Sequence, residues 1–460
     1  MSNPLVSVYI LNFNYGKYIE EAINSVLNQS YKNIELIIID DGSIDSSRTI
    51  LEKYKKRNKN IKIIFQDNVG LVRSNNIAIS HSNGDYIIRL DADDYFHIDA
   101  IQKLVSTIQK NKKAVLVFPD YYEVSITGEI LKRVERFNFN NQVTLHNMPA
   151  HGACTMIDLT VLKEIGGYDE EFDRQDGYYI WIKILSKGYH VTNINEPLFY
   201  YRQHPESLSR DLNKLYEIRS KIVRKISKEY SKNSNKTLAI IPTRGSIHNN
   251  SNLDFQKING KYIIDWTIES VLNSENVNKV IVSSPDKDVI RHVQNTYKEI
   301  EIHERSASQA FQNISLSLSV KEIINQPHII NQNFQALLIK TIDTPFFRSH
   351  LMDQAIDNLN IFSKIDSMIG VNESNEVFYK HDGAGMRELI SSSKHRLERD
   401  TLYKKIRGFN LVKLSFFNKR NVLSGGIMGH VEADDISGFS IKNALNLKLA
   451  KTIARDYDRS

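Results

Sequence analysis

The sequence predicts an α/β protein with two tandem domains joined by a helical linker, and three observations lead there. The chain has 460 residues, more than one hydrophobic core usually serves. Two strand-like openings, Val6–Leu11 and Thr237–Pro242, each run into a polar loop. After each opening, continuous apolar runs alternate with helical apolar spacing, the pattern of a parallel sheet covered on both faces.

The elements follow in order. Ile19, Ala22, Ile23 and Val26 have helical spacing within Ile19–Gln29, and Ile34–Ile39 reads as a buried strand. Ser46–Lys55 is a helix, Ile61–Phe65 a strand, Asn75–Ser80 part of a helix and Tyr86–Leu90 a strand. The second half repeats the alternation: helix Ile263–Leu272, strand Lys279–Ser283, helix Lys287–Thr296, strand Phe334–Ile339 and helix Ser349–Leu359. These are two Rossmann-like, nucleotide-binding-type domains, expected at 1–210 and 236–460. Between them, 211–235 holds Leu212, Leu215, Ile218, Ile222, Val223 and Ile226 at helical spacing. Lys214, Arg219, Lys221, Arg224, Lys225 and Lys228 cover the other face. This helix is expected to pack on the first domain; a basic amphipathic helix lying on an anionic membrane surface is the alternative.

Composition narrows the function classes. Hydrophobic residues are 41% and charged residues 25% of the chain, as in folded globular proteins. The formal net charge of +6 suits acidic small ligands and gives no sign of nucleic-acid binding. A single cysteine, Cys154, excludes a disulfide framework and a cysteine-rich zinc site. No signal peptide and no run of about 18 apolar residues is read. The expected location is the cytoplasm, with the inner face of the cytoplasmic membrane as the peripheral alternative.

The strongest motif is Leu90-Asp91-Ala92-Asp93-Asp94, which directly follows a strand. Carboxylates at i and i+2 where a strand turns can address one hard divalent cation. Such a cation can stabilise a departing diphosphate. A second carboxylate pair, Asp40-Asp41, ends another strand, and ligands of open α/β sheets bind at those ends. Downstream, Arg174-Gln175-Asp176-Gly177 opens an apolar helix containing Trp181. Asp176 there is either a helix cap or a general base.

Taken together these residues resemble the family 2 glycosyltransferases of the GT-A fold over about residues 4–210. Val6–Asn14 is similar to that family's first strand, and Tyr18–Gln29 to its first helix. The resemblance implies that Asp40 binds the base of a nucleotide sugar, with Asp41 beside it. Asn68–Asn75 is similar to a stretch ending in Arg-Asn, which implies a nucleotide contact for Arg73 although it comes early. Asp91 and Asp93 become the nucleotide and metal motif, with Asp93 the likelier direct ligand of Mn2+ or Mg2+. Asp176 becomes the catalytic base, where Gln175 replaces the more usual Glu. Tyr200–Ser207 resembles the family's Tyr-Arg-x-His ending, in which Arg202 and His204 close over diphosphate and metal.

The second half is similar to another family, the cytidylyltransferases that make CMP-activated sialic and related acids. The resemblance rests on Leu238–Gly245, Asn259-Gly260-Lys261, Ile263–Ile268, Val280–Ser284, Lys340–Phe346 and Ser424–Glu432 with Leu447–Ala450. The glycine-rich phosphate loop is replaced by Ser246–Asp254, with His248, Asn252 and Leu253 at its basic positions. The metal carboxylates fall at Ser440-Ile441-Lys442, with Asp434 and Asp435 out of register. A degenerate domain with a binding, scaffold or dimerisation role is therefore expected, and Arg244 is read as a satisfied surface arginine, with a contact to an anionic ligand as the alternative. The implied function is inverting, metal-dependent sugar transfer from a nucleotide diphosphate donor to a glycan, lipid-linked or protein acceptor in bacterial surface polysaccharide synthesis. The alternatives are a bifunctional enzyme that also makes a CMP-sugar and a non-catalytic nucleotide or glycan binder.

Overall fold

A computed structural model describes residues 3–58, 60–136, 152–203, 212–230, 236–245, 253–310, 314–374, 376, 379–381, 386–388 and 402–457. The chain divides into two units, Met1–Lys232 and Asn233–Ser460.

In the first unit, β1 (Val6–Asn12), α1 (Ile19–Leu27), β2 (Ile34–Asp41), α2 (Ser47–Arg57), β3 (Ile61–Gln66), α3 (Leu71–His81) and β4 (Tyr86–Asp91) alternate strictly. Next come β5 (Tyr95–Phe96), α4 (Ala100–Lys110), β6 (Ala114–Val124), β7 (Ile130–Val134), β8 (Met156–Asp158) and α5 (Leu159–Glu164). The unit closes with α6 (Asp176–Ser186), β9 (His190–Arg202) and α7 (Leu212–Tyr230). The sheet order is β3-β2-β1-β4-β8-β6-β9-β5, with β7 paired to β6. All seven residues of β1 are buried, which is why its sequence shows a continuous apolar run rather than alternation.

The all-parallel sheet read from the sequence holds as a continuous run for β3-β2-β1-β4, and further along only β6 and β9 pair in parallel. Beyond β4 the sheet is mixed, because β8 runs antiparallel to both β4 and β6. Parallel neighbours need crossover helices, and α1, α2 and α3 supply them only within the first four strands. Strand β2 also runs two residues past the expected end, so Asp40 and Asp41 belong to the strand itself.

The second unit carries a seven-stranded sheet. Strands Val277–Ser284, Thr237–Pro242 and Ala336–Lys340 run parallel at its centre, and Glu301–Glu304 adds parallel at one edge. The long strand Leu402–Lys413 then joins antiparallel to both Ala336–Lys340 and Ser367–Ser374. Its core includes Leu238, Ile240, Ile281, Leu337, Ile339 and Val412. The architecture is thus α/β in both units. Among the described residues no helix is long and apolar enough to cross a membrane.

Candidate active site at the carboxyl edge of the first sheet

Register gathers the acidic motifs. Asn12 pairs with Asp40 across β1–β2, and Leu11 pairs with Asp91 across β1–β4. Asp40, Asp41 and Asp91 therefore stand at the carboxyl ends of strands flanking β1, where an open α/β sheet forms its crevice. Asp40 accepts from Asn12 Nδ2 at 2.8 Å. Asp41 spends both oxygens on the next loop, accepting from Gln66 Nε2 at 2.7 Å and from the backbone N–H groups of Val69 and Gly70, each at 2.9 Å. Gly42 makes that closeness workable: its φ is +80°, and a Cβ there would lie 2.8 Å from Asn68 N.

Arg89, two residues before Asp91 on β4, is the feature that sequence reading missed. It is 7% exposed. Its Nε donates to Asp91 Oδ1 at 2.6 Å and its Nη2 to Asp91 Oδ2 at 3.1 Å, so both oxygens of Asp91 are engaged. Its Nη1 donates to Asp176 Oδ2. Burial works against the charge, but Asp176 and then Asp91 outweigh it and hold the guanidinium well above its ordinary pKa. A Cβ at Gly152 would approach Arg89 Nη1 to 3.1 Å, so the backbone there closes over the guanidinium.

Asp176 is the first residue of α6. Asn75 Nδ2 donates to the same oxygen, Oδ2, at 3.0 Å. Tyr9 Oη donates to Asn75 Oδ1 at 2.8 Å, which orients the amide. Two donors thus converge on Oδ2, and neither reaches Oδ1.

The turn after β4 is tied down by Arg202. Its backbone N–H donates to Asp94 Oδ1 at 2.8 Å and its Nε to the Asp93 carbonyl at 2.9 Å. Its Nη1 reaches the Ser125 and Ile126 carbonyls at 3.3 and 2.8 Å, and its Nη2 reaches Glu21 at 2.6 Å. Every side-chain nitrogen of Arg202 therefore has a protein acceptor. With 3% of its side chain exposed, Arg202 ties the Asp91–Asp94 turn to α1 and to the β6–β7 connection. Arg73 is placed differently from the expectation, facing Glu170 at 2.8 Å with its side chain 60% exposed. His204 lies outside the described residues.

The turn suits a cation on one structural ground. Asp94 is 1% exposed, and its Oδ2 has no hydrogen-bond partner. Burial, then Asp93 and Asp91, push its carboxyl well above the usual range. Arg202, through its backbone N–H and its charge, offsets only part of this crowded negative charge, and a divalent ion would relieve the rest. Asp93 is 8% exposed in the same turn. Asp91, engaged by Arg89 on both oxygens, is the less available of the two expected ligands. Among the described residues no group of three His, Cys, Asp or Glu side chains has ligand geometry.

In the second unit, the carboxyl end of Thr237–Pro242 leads to Thr243-Arg244-Gly245, and Arg244 is exposed there. Arg305 is buried beside it and donates to the Thr243 carbonyl; burial, then Arg244, lowers its pKa to about 10. Ser440 donates to Asp343 at 3.3 Å. Asp434 is taken up by Ser437, accepting from its N–H at 2.7 Å and its hydroxyl at 3.1 Å. Residues 246–252 lie outside the described set.

An uncharacterized glycosyltransferase of Haemophilus influenzae is 31% identical over 224 residues, 46% of this chain and 69% of that protein. The family described as Glycosyl transferase family 2 matches residues 7–166. The chain belongs to the family 2 glycosyltransferases. This glycosyltransferase carries a second match, to the family described as Cytidylyltransferase, over residues 238–424. The putative teichuronic acid biosynthesis glycosyltransferase TuaG of Bacillus subtilis is 30% identical over 45% of this chain and 82% of its own length. The chondroitin synthase of Pasteurella multocida is 28% identical over 40% of this chain, which spans 19% of that larger protein. The crystal structure of S. aureus TarS 1-349 in complex with UDP-GlcNAc shares 21% identity with a TM-score of 0.40, covering 49% of this chain and 66% of that one. The enzyme is therefore a sugar transferase fused to a cytidylyltransferase-like region, and the family match ends ten residues before Asp176.

Proposed function

We propose that the first unit is an inverting glycosyltransferase that moves a sugar from a nucleoside diphosphate donor to a glycan, lipid-linked or protein acceptor in bacterial surface polysaccharide synthesis. One observation carries the reading: both donors to Asp176 converge on Oδ2, leaving Oδ1 to take a proton beside the acidic strand ends. The acceptor hydroxyl gives that proton to Oδ1 as its oxygen attacks the anomeric carbon, and the bond to the diphosphate breaks from the opposite side. Arg89 and Asn75 keep the carboxylate aimed while this happens. Asp40 holds the nucleotide base, with Asp41 shaping the adjacent loop and Arg73 at its rim. Asp93 and Asp94 are the ligands best placed for Mn2+ or Mg2+, with His204 as the further candidate. When bound, the cation offsets the charge of the leaving diphosphate.

The test is donor turnover by Asp176→Asn in the full chain. The expected loss is roughly 10²–10⁴-fold in kcat, the range for a positioned general base. Near-normal turnover by the variant would refute the assignment. A thermal-shift panel of UDP, GDP, CDP and dTDP with manganese should show stabilisation by one nucleotide in the wild type and none in Asp93→Ala. The second unit is proposed to be a cytidylyltransferase fold without its phosphate and metal chemistry, serving as a binding or dimerisation module.

A further inference from the structure

The residue before the candidate base has an unusual backbone. Gln175 caps α6 with φ 61° and ψ 29°, the left-handed conformation, and its side chain makes no capping bond to the helix. A non-glycine residue there is strained unless its surroundings hold it. The side chain points instead to α7: Arg219 Nε donates to Gln175 Oε1 at 2.8 Å. Arg219 is 6% exposed and its guanidinium lies 4.7 Å from the centre of the Tyr178 ring, which is itself fully buried on α6. The latch is backed by further contacts between the same segments. Lys225 on α7 pairs with Asp169 at 2.6 Å and Glu171 at 2.5 Å, both in the loop leading to Gln175. Ile222, Val223 and Ile226 bury the apolar face of α7.

We infer that Arg219 is a positioning residue of the transferase, and that α7, a linker by sequence, completes the active site by locking the Gln175–Asp176 turn. Backbone dihedrals at 175 set the direction in which α6 starts, and Asp176 is its first residue. A carboxylate that must meet an acceptor hydroxyl on its free oxygen tolerates little angular error. Arg89 on β4 and Asn75 on α3 hold the carboxylate; Arg219 on α7 holds the Gln175 side chain next to it. The inference rests on the reading of Asp176 as the base, and its test separates the two.

The test compares wild type, Arg219→Met, Arg219→Lys and Arg219→Met/Gln175→Gly in the full chain. The first readout needs no donor: amide hydrogen exchange over residues 172–182, which include the Tyr179 N–H bonded to the Gln175 carbonyl at 2.9 Å. Arg219→Met should raise exchange there, and Arg219→Lys, lacking the planar fork, should restore only part of the protection. The second readout is manganese-dependent nucleotide release from UDP-glucose, UDP-N-acetylglucosamine and GDP-mannose. A drop of about 10²-fold in kcat with the donor KM unchanged is expected for Arg219→Met. Gln175→Gly, which occupies the left-handed region without a latch, should recover part of that loss. Unchanged exchange at 172–182, or a loss confined to KM, would overturn the inference. If Asp176→Asn keeps turnover while Arg219→Met still loosens the segment, the base assignment fails and the latch stands as structure alone.

Discussion

Arg89 carries more of the site than any motif residue, since one guanidinium balances two carboxylates from distant parts of the chain. Its side chain is 8% exposed, and those of Asp91 and Asp176 are 25% and 11% exposed. Removing a buried cation leaves its partners uncompensated, which is worse than never having built the pair. Arg89→Met should therefore destabilise the first unit by about 3–5 kcal/mol. Denaturant titration checks this, and a change below about 1 kcal/mol would mean that water already screens the cluster. Asp91→Asn should cost much less, because Arg89 keeps Asp176. The acidic residues of this site were legible in the sequence because Asp91-Ala-Asp-Asp and Asp40-Asp are contiguous and follow apolar runs. Arg89 was not legible, because its meaning depends on Asp176, 87 residues away. The one available signal was a charge inside the apolar strand Tyr86–Leu90, where an arginine stays only if it is paired. Asn75 and Glu21 escaped for the same reason, since each gains its role from a partner about a hundred or more residues distant.

At the scale of the element, α7 shows how one pattern serves two environments. Its alternation of apolar and basic residues fits a membrane-surface helix as well as a packed one. In the structure Arg219 is buried, Lys225 faces two carboxylates and Lys221 pairs with Glu217 at 2.6 Å. Much of the positive face is thus neutralised within the unit. Co-sedimentation with phosphatidylserine vesicles at physiological salt is accordingly expected to be negligible. Strong binding that disappears on neutralising Lys221, Arg224 and Lys225 together would restore the membrane reading. The sheet teaches a similar lesson. Helical and strand periods located β1 to β4 and α1 to α3 within a few residues, because those elements bury one side or both. They said nothing of β8, a three-residue strand whose antiparallel place between β4 and β6 is decided by pairing.

For the whole molecule, the question is what the second unit contributes. Its family match is to the cytidylyltransferases, yet Ser440, which the resemblance puts at a metal-carboxylate position, bonds Asp343, while Asp434 serves its own turn. Incubation with CTP, magnesium and a sialic-acid-type sugar is expected to release no pyrophosphate. Release that survives Asp93→Ala in the first unit would place live nucleotide chemistry in the second and make the enzyme bifunctional.

The sequence by itself determined the two α/β units, the strand ends that carry carboxylates, and the family of sugar transferases to which the chain belongs. These depend on local periodicity and short motifs, which a linear string preserves. Only the tertiary structure decided that Arg89 joins Asp91 to Asp176, that Arg202 is a tie beneath the acidic turn, and that α7 closes on Gln175. Each of these is a contact between groups remote in sequence, and a charge buried in a sheet has no defined role until folding brings its partner within reach.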